Sequence, residues 1–526
     1  MRKILQLYHT LKYLKWIQVR YRLFYFLKNK LPNQARKESL SESFFVTTIP
    51  LFHPFIHGEE MFIPPTGFRF LNQTKVFRDK IDWNFSEYGK LWTYNLAYFE
   101  CVTQSELNSL DVEQKVLHFH DNYFSLKDAL EPYPTSLRLI NLIKFVSQHQ
   151  LKNEKISELL SMDTSRLLRN IEYHLLGNHL LENAFALLFA GTYFSDHKLI
   201  DKTQKILTAE LKEQVLDDGA HIELSPMYHQ IILYRLLDSI SLIRRNSDLW
   251  NESFLLCLEE KACKMLGWMN TMSFKNGQMP YVNDATAGIA PTSRELSDYA
   301  KKLSLTPKFD RFSSSGYRKF EGQNYELFMD VGNIGPDYIP GHAHSDTLNF
   351  IVHWNSKPFI VDTGITTYEK GEIRNKERST SSHNTVLVNN KEQSAVWASF
   401  RVAERAYCTI HEENEHETKA SHDGYKKQGV VHTRHFMHKP NTLLILDKLN
   451  VKMGSKAYFH FDSDISLKYA ENSFIGAFGK ISFKGHSGLQ IDYYQLSRGF
   501  NNSVEAQVIT VDFNTQLETN VCFNQL

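Results

Sequence analysis

The stretch Gly341-His-Ala-His-Ser-Asp-Thr-Leu-Asn-Phe-Ile-Val-His-Trp354 runs from two spaced histidines into an apolar, β-prone segment, and reads as the entry to a strand. Runs of the same kind surround it: Tyr325-Glu-Leu-Phe-Met-Asp330 before it, then Ala457-Tyr-Phe-His-Phe-Asp462, Gln490-Ile-Asp-Tyr-Tyr494 and Gln507-Val-Ile-Thr-Val-Asp-Phe513. Many short strands without intervening helices predict antiparallel sheets packed as a sandwich. Upstream the period changes. From about Asp111 to Thr271 apolar residues recur at helical spacing, as in Leu137, Ile140, Ile143 and Val146, or Leu180, Ala184, Leu187 and Leu188. Repeated antiparallel helix pairs build a bundle, solenoid or toroid, and periodicity does not choose among them. The expected division is a lead-in over 1–85, a helical part over 86–305 and a β part over 310–526.

Composition bounds the function. The 526 residues hold 60 Lys+Arg against 59 Asp+Glu and are 42% hydrophobic, so disorder and collagen-like repeats are excluded. A net charge of +1 argues against a whole-protein nucleic-acid footprint. Five scattered cysteines, the closest pair spaced C-x5-C, suggest neither a disulfide framework nor a thiolate metal site. One asymmetry is local: residues 1–37 carry ten Lys/Arg and no acid, interleaved with apolar residues. The longest apolar run there, Leu23–Leu27, is shorter than the ~7–15 residues a signal peptide needs, so the segment is read as retained. The expected location is cytoplasmic or peripheral at the inner membrane, with the periplasm as the alternative. A helix packed on the protein, its Lys/Arg stems reaching water, is the favoured reading of residues 1–37; contact with an anionic membrane or an assembly partner is the other.

Four clusters bear chemistry. In Gly341-His-Ala-His, residues i and i+2 of a strand share a face, so His342 and His344 are expected to look into one cavity. Imidazole suits zinc, and Asp362 and His383 are candidate partners in the same half. Taken alone, H-x-H is more often two hydrogen-bonded histidines. Gly177-Asn-His-Leu-Leu-Glu-Asn183 falls at a helix start, where Asn178 could simply cap the helix. Ser225-Pro-Met-Tyr-His229 puts Tyr228 just inside a helix opened by Pro226. Arg374 and Arg378 could pair a substrate carboxylate or decorate a loop. His, Tyr, Asn and Arg recur in these clusters, whereas the two carboxylates of a glycoside hydrolase are not evident. Removing a proton α to a carboxylate needs that carboxylate neutralised, a base, and an acid for the leaving oxygen, which this set can provide.

Gly341-His-Ala-His-Ser-Asp-Thr-Leu-Asn-Phe350, Val361-Asp-Thr-Gly364 and Arg378-Ser-Thr-Ser-Ser-His-Asn-Thr-Val386 resemble the C-terminal domain of the heparinase II/III family of polysaccharide lyases. Leu91-Trp-Thr-Tyr-Asn-Leu-Ala-Tyr-Phe99, Ser136-Leu-Arg-Leu-Ile-Asn141, Gly177–Asn183 and Ser225–His229 resemble its helical domain, in the same order. The resemblance implies an incomplete (α/α) toroid followed by an antiparallel β-sandwich, a multidomain α+β chain. It also implies β-elimination at a uronic acid in a cleft between the two. Asn178 and His179 then match the carboxylate neutralisers, Glu182 a supporting acid, Tyr228 the catalytic acid and His342 the other proton-transfer group. His344, Asp362 and His383 match a metal site, usually zinc, that orders the domain. Arg138, Asn141, Glu182, Arg374 and Arg378 are expected at the substrate. The opening segment resembles capsule and exopolysaccharide-cluster members, so the expected substrate is an endogenous uronate-containing anionic polysaccharide. A glycan-binding or scaffold member without catalysis is the main alternative. A metal-dependent phosphoesterase or amidohydrolase, which would need parallel strands alternating with helices, ranks last.

Overall fold

The computed structural model describes residues 2–30, 49–52, 56, 60–104 and 108–524; the basic stretch over 31–37 lies outside them. Two helices open the chain, α1 (Arg2–Leu11) and α2 (Trp16–Lys30). A small three-stranded antiparallel sheet, Phe62–Ile63, Gly67–Phe70 and Gln73–Val76, follows. It belongs to the helical half, because Phe62, Phe68 and Phe70 join Trp83, Trp92 and Phe119 in one core.

The helical half consists of α3 (Lys90–Tyr98), α4 (Ser109–Asp121), α5 (Pro132–His149), α6 (Glu154–Arg169), α7 (Gly177–Phe194), α8 (His197–Gln214), α9 (Pro226–Arg245), α10 (Glu252–Met272) and α11 (Ser293–Lys302). Composition sorts them into two layers. α8 buries Leu199, Ile200, Thr203, Ile206, Leu207 and Leu211 while exposing Lys198, Asp201, Lys202 and Lys205, the one-sided pattern of an outer helix. α5, α7 and α9 are buried nearly all round and form the inner layer. α7 touches both α5 and α9, and each inner helix packs on an outer partner, α6, α8 or α10. This is the incomplete (α/α) toroid.

Caps fix where these helices begin. Asn153, Asp196 and Ser225 accept from first-turn amides of α6, α8 and α9, contacts worth about 1 kcal/mol each. α7 starts differently. Leu176 and Gly177 both have positive φ, 67° and 58°, and no side chain caps the helix. A Cβ on Gly177 would sit 2.3 Å from Glu223 Oε1 and 2.6 Å from Ile339 Cδ1, so only glycine lets this backbone approach the β half.

The β half begins with Tyr317–Glu321, Tyr325–Asp330, Phe350–Trp354 and Lys357–Ile360, a four-stranded sheet in sequence order. It faces a ten-stranded sheet built around the long hairpin Gly479–Gly499 and Asn502–Phe523. Leu327, Met329, Phe350 and Val352 from the first meet Phe436, Ile445, Phe459 and Ile509 from the second in one core. Every ladder among the described residues is antiparallel, which removes the phosphoesterase-type architecture. The H-x-H motif itself is not in a strand. Pro340–His342 forms a single 3-10 turn and the strand starts at Phe350, so the shared-face argument for His342 and His344 fails.

The halves are pinned together. Asp218, before α9, accepts from Ser313 N at 3.2 Å, Ser315 N at 3.0 Å and Ser315 Oγ at 2.6 Å. Tyr317 donates to Leu224 O at 2.6 Å and accepts from Asn283 Nδ2 at 2.9 Å.

Candidate active site

Asn178, His179 and Tyr228 come from the first turns of α7 and α9, and His342 from the 3-10 turn of the β half; the fold brings all four to one place. The rings of Tyr228 and His342 lie 4.0 Å apart, and Asn178 Nδ2 is 3.4 Å from His342 Nε2. Tyr133, in the first turn of α5, lies 4.7 Å from the His179 ring.

Carboxylates hold this set in position, and sequence reading found none of these three. Glu223 accepts from Asn178 N at 2.6 Å and from Asn178 Nδ2 at 3.0 and 2.9 Å, and lies 3.2 Å from His342 Nε2. Asn178 is therefore not a helix cap. Asp284 accepts from His342 Nδ1 at 2.9 Å, His344 Nε2 at 2.9 Å, and both terminal nitrogens of Arg374 at 2.5 and 2.7 Å. The two histidines of H-x-H thus converge, but through one aspartate of the helical half. Glu172 pairs with His179 Nδ1 at 3.1 Å and accepts from Asn183 Nδ2 at 3.0 Å. A bond from Nδ1 to Asp284 fixes the tautomer of His342 and leaves Nε2 to exchange a proton.

Electrostatics follow from these contacts. Burial opposes charge on Asp284, yet Arg374 and the two histidines hold its carboxyl well below the usual range. Burial would depress His179, but Glu172 outweighs it and raises the imidazole. Burial and the nearby Tyr368 hydroxyl, 3.4 Å away, push the Tyr228 phenol well above its ordinary value, so it keeps its proton at neutral pH.

The expected substrate contacts are corrected by burial. Arg138 is 0% exposed and forms a two-point ion pair with Asp163 at 2.8 and 2.7 Å, with Tyr123 on the same carboxylate. Asn141 donates inward to Tyr98 O at 2.9 Å. Glu182 is paired with Arg235 at 3.1 Å inside the toroid. Arg378 is used on the carbonyls of Ala343, Ala398 and Ser399, and Arg374 on Asp284 and Ser399 O. Each of the five is committed to a partner inside the protein, and a guanidinium or carboxylate buried without one would cost several kcal/mol, roughly. Arg374 alone acts on the site, through Asp284.

His344, Asp362 and His383 share one buried neighbourhood. The rings of His344 and His383 are 5.3 Å apart, and His383 Nδ1 lies 2.8 Å from Asp362 Oδ2. His344 Nδ1 and His383 Nε2 are buried with no hydrogen-bond partner, and burial pushes the His344 imidazole down to about 3, leaving it neutral. Two orphaned imidazole nitrogens beside a carboxylate fit the donor chemistry of zinc. Among the described residues, the one His/Cys/Asp/Glu trio whose donor atoms all lie within 4.8 Å of one another is a different one, Glu412, Glu417 and His435, on the sandwich surface.

Comparison with known proteins supplies the family. The family described as Heparinase II/III N-terminus matches residues 136–311, and the one described as Heparinase II/III-like, C-terminal, matches residues 305–520. A heparin-sulfate lyase of Bacteroides stercoris is 26% identical over 254 residues, which is 42% of this chain and 36% of that protein. One from Pedobacter heparinus is 25% identical over 246 residues, 41% of this chain and 36% of that protein. The match therefore spans just over a third of the length of these relatives. A crystal structure of heparinase III superposes with a TM-score of 0.62 at 15% identity, covering 86% of this chain and 81% of that one, which shows the shared fold.

Proposed function

The chain belongs to the heparinase II/III-like family, and on that premise we propose that it is a carbon–oxygen lyase that cleaves a uronic-acid-containing polysaccharide by β-elimination. The observation that carries the reading is the 4.0 Å facing of Tyr228 and His342, one from each half, beside Asn178 and His179. His179, raised by Glu172, neutralises the uronate carboxylate, with Asn178 held beside it by Glu223, and this makes loss of the C5 proton tolerable. His342 Nε2 takes that proton. The electron pair forms the C4–C5 double bond, the bond from C4 to the bridging oxygen breaks, and Tyr228, which holds its phenolic proton, donates it to the departing oxygen.

The relatives are named heparin-sulfate lyases. For this chain the favoured substrate is instead an endogenous capsule or exopolysaccharide, a reading supported by the basic segment over 1–37. The corresponding location is cytoplasmic or peripheral at the inner membrane. His344, Asp362 and His383 would hold zinc, which would order the segments around Asp284 rather than activate water.

The test offers the purified protein a panel of uronate polysaccharides and follows the ultraviolet absorbance of the unsaturated uronate. Absorbance should rise with wild type and stay flat with Tyr228→Phe at an unchanged thermal midpoint. Products with only saturated ends would mean hydrolysis and end the lyase reading.

A further inference from the structure

α2 is built inside out. A surface helix ordinarily turns its apolar stripe to the core. Here the docked face is polar: Gln18, 1% exposed, donates to Leu175 O at 3.2 Å and Tyr338 O at 3.3 Å. Tyr25 donates to Ile171 O at 2.6 Å, and Lys28 to Arg169 O at 2.8 Å at the carbonyl end of α6. Lys15 pairs with Glu213 and lies 3.9 Å over the Tyr338 ring. The face turned to solvent holds Trp16, 78% exposed, with Val19, Leu23, Phe26 and Leu27, and Leu11 at the end of α1 is exposed as well. Lys12, Arg20 and Lys30 are exposed among these apolar groups.

Charge is segregated in the same way. Ten of the 60 Lys+Arg lie in residues 1–37 with no acid, so the rest of the chain carries 50 against 59 and is negative by 9. A negative body meets an anionic surface favourably only through this segment. Aromatic and aliphatic side chains mixed with Lys and Arg match the headgroup layer of a bilayer, where apolar tips enter and cations stay at the phosphates. A polysaccharide offers hydroxyls and charge, which gives no reason to expose Val19, Leu23 and Leu27. No described helix is long and apolar enough to cross a membrane, so the fit is to a surface.

We propose that the outer face of α1 and α2 lies in the headgroup layer of an anionic membrane. Its location would follow from Gln18: Leu175 leads into Gly177-Asn178-His179 and Tyr338 leads into His342, so the platform sits on both walls of the site. Binding to lipid is independent of turnover, and its failure leaves the lyase reading untouched.

The test is flotation of the full chain with vesicles of phosphatidylcholine alone or mixed with phosphatidylglycerol. Wild type should bind the anionic vesicles at least about tenfold more tightly than the neutral ones and leave them as salt rises. Leu23→Glu/Phe26→Glu should lower binding by about tenfold or more, with the rate on a soluble polysaccharide unchanged. If that pair lowers the thermal midpoint, Leu23→Ser/Phe26→Ser serves the same comparison. Wild type that stays off both vesicle types, or a double variant that floats like wild type, overturns the proposal. So does a variant that loses polysaccharide binding or self-association while wild type ignores vesicles.

Discussion

Replacing Asp284 by Asn tests the site where its two halves meet. The carboxylate accepts four side-chain hydrogen bonds, from His342, His344 and twice from Arg374. Asparagine has the same shape, but its Nδ2 cannot accept, so whichever oxygen it replaces loses one Arg374 bond and one histidine bond. At about 1.5–3 kcal/mol for each charge-assisted bond, the loss is about 3–6 kcal/mol. Leaving Arg374 buried without its counter-charge gives a similar figure, about 3–5 kcal/mol. For a domain of this size that is a fall of roughly 6–20 °C in thermal midpoint. The catalytic effect is separable. With Nδ2 against His342, the ring keeps a bond only by moving its proton to Nε2, the wrong nitrogen to accept another, and a tautomer error of this kind costs about 10⁴ in kcat. Initial rates of unsaturated uronate formation, measured below the lowered midpoint, read the second effect; differential scanning fluorimetry reads the first. Adding Arg374→Met to Asp284→Asn should recover part of the midpoint and none of the rate. A single variant that keeps a rate within tenfold of wild type would refute the claim that Asp284 sets the proton on His342.

Arg138→Met should lower the midpoint through loss of about 3–5 kcal/mol, by stranding Asp163, and leave KM unchanged in the folded fraction; a weakened KM at an unchanged midpoint would restore Arg138 to the substrate. Glu172→Gln should lower the pH at which His179 loses its proton, because the raised value depends on that carboxylate. In wild type the stabilisation from this pair is complete below about pH 6.5 and fades as pH rises through the raised value; an unshifted His179 titration followed by NMR would argue against the pair. His344→Ala should reduce bound zinc and the midpoint together, and an undiminished metal stoichiometry would remove His344 from the ligand set.

How much of this was legible in the sequence depends on the range of each contact. The two periodicities separated helical from β architecture, since Leu199–Leu211 and Tyr325–Asp330 carry their pattern locally. Pro226 marked the start of α9 and so placed Tyr228, and the structure adds Ser225 as its cap. The run of short strands also gave the sandwich, whereas the choice of a toroid and the cleft came only from the family resemblance. Glu223 and Asp284 were missed because a carboxylate 45 residues from Asn178 or 58 from His342 leaves no local signature, whereas Glu172, only 7 residues before His179, was within reach of a local reading. Arg138 was misread for the reverse reason: an arginine beside catalytic motifs looks like a polyanion contact until burial shows it paired with Asp163. The apolar outer face of α2 was visible as composition, but which face docks was not.

A body negative by 9 outside residues 1–37 can still hold a polyanion, because the relevant positive charge is not only on side chains. The first turns of α5 and α7 meet where Tyr133 contacts His179, and those of α7 and α9 converge on His342, which Asn178 and Tyr228 both contact. Each helix start carries about half a positive charge in its unpaired amides, worth about 0.3–1 kcal/mol to a nearby anion. Three converging starts therefore favour an anionic chain without any net cationic charge. Glu223 limits this field where it binds Asn178, and its carboxyl stays charged because His342 and the Asn178 donors outweigh the cost of burial. A uronate carboxylate approaching Asn178 directly would meet that charge. The substrate carboxylate is better served by His179, which is less enclosed and is raised by Glu172, than by the amide of Asn178. In the proposed reaction neutralisation then falls chiefly to His179, with Asn178 held by Glu223 as the support that fixes the start of α7 against His342.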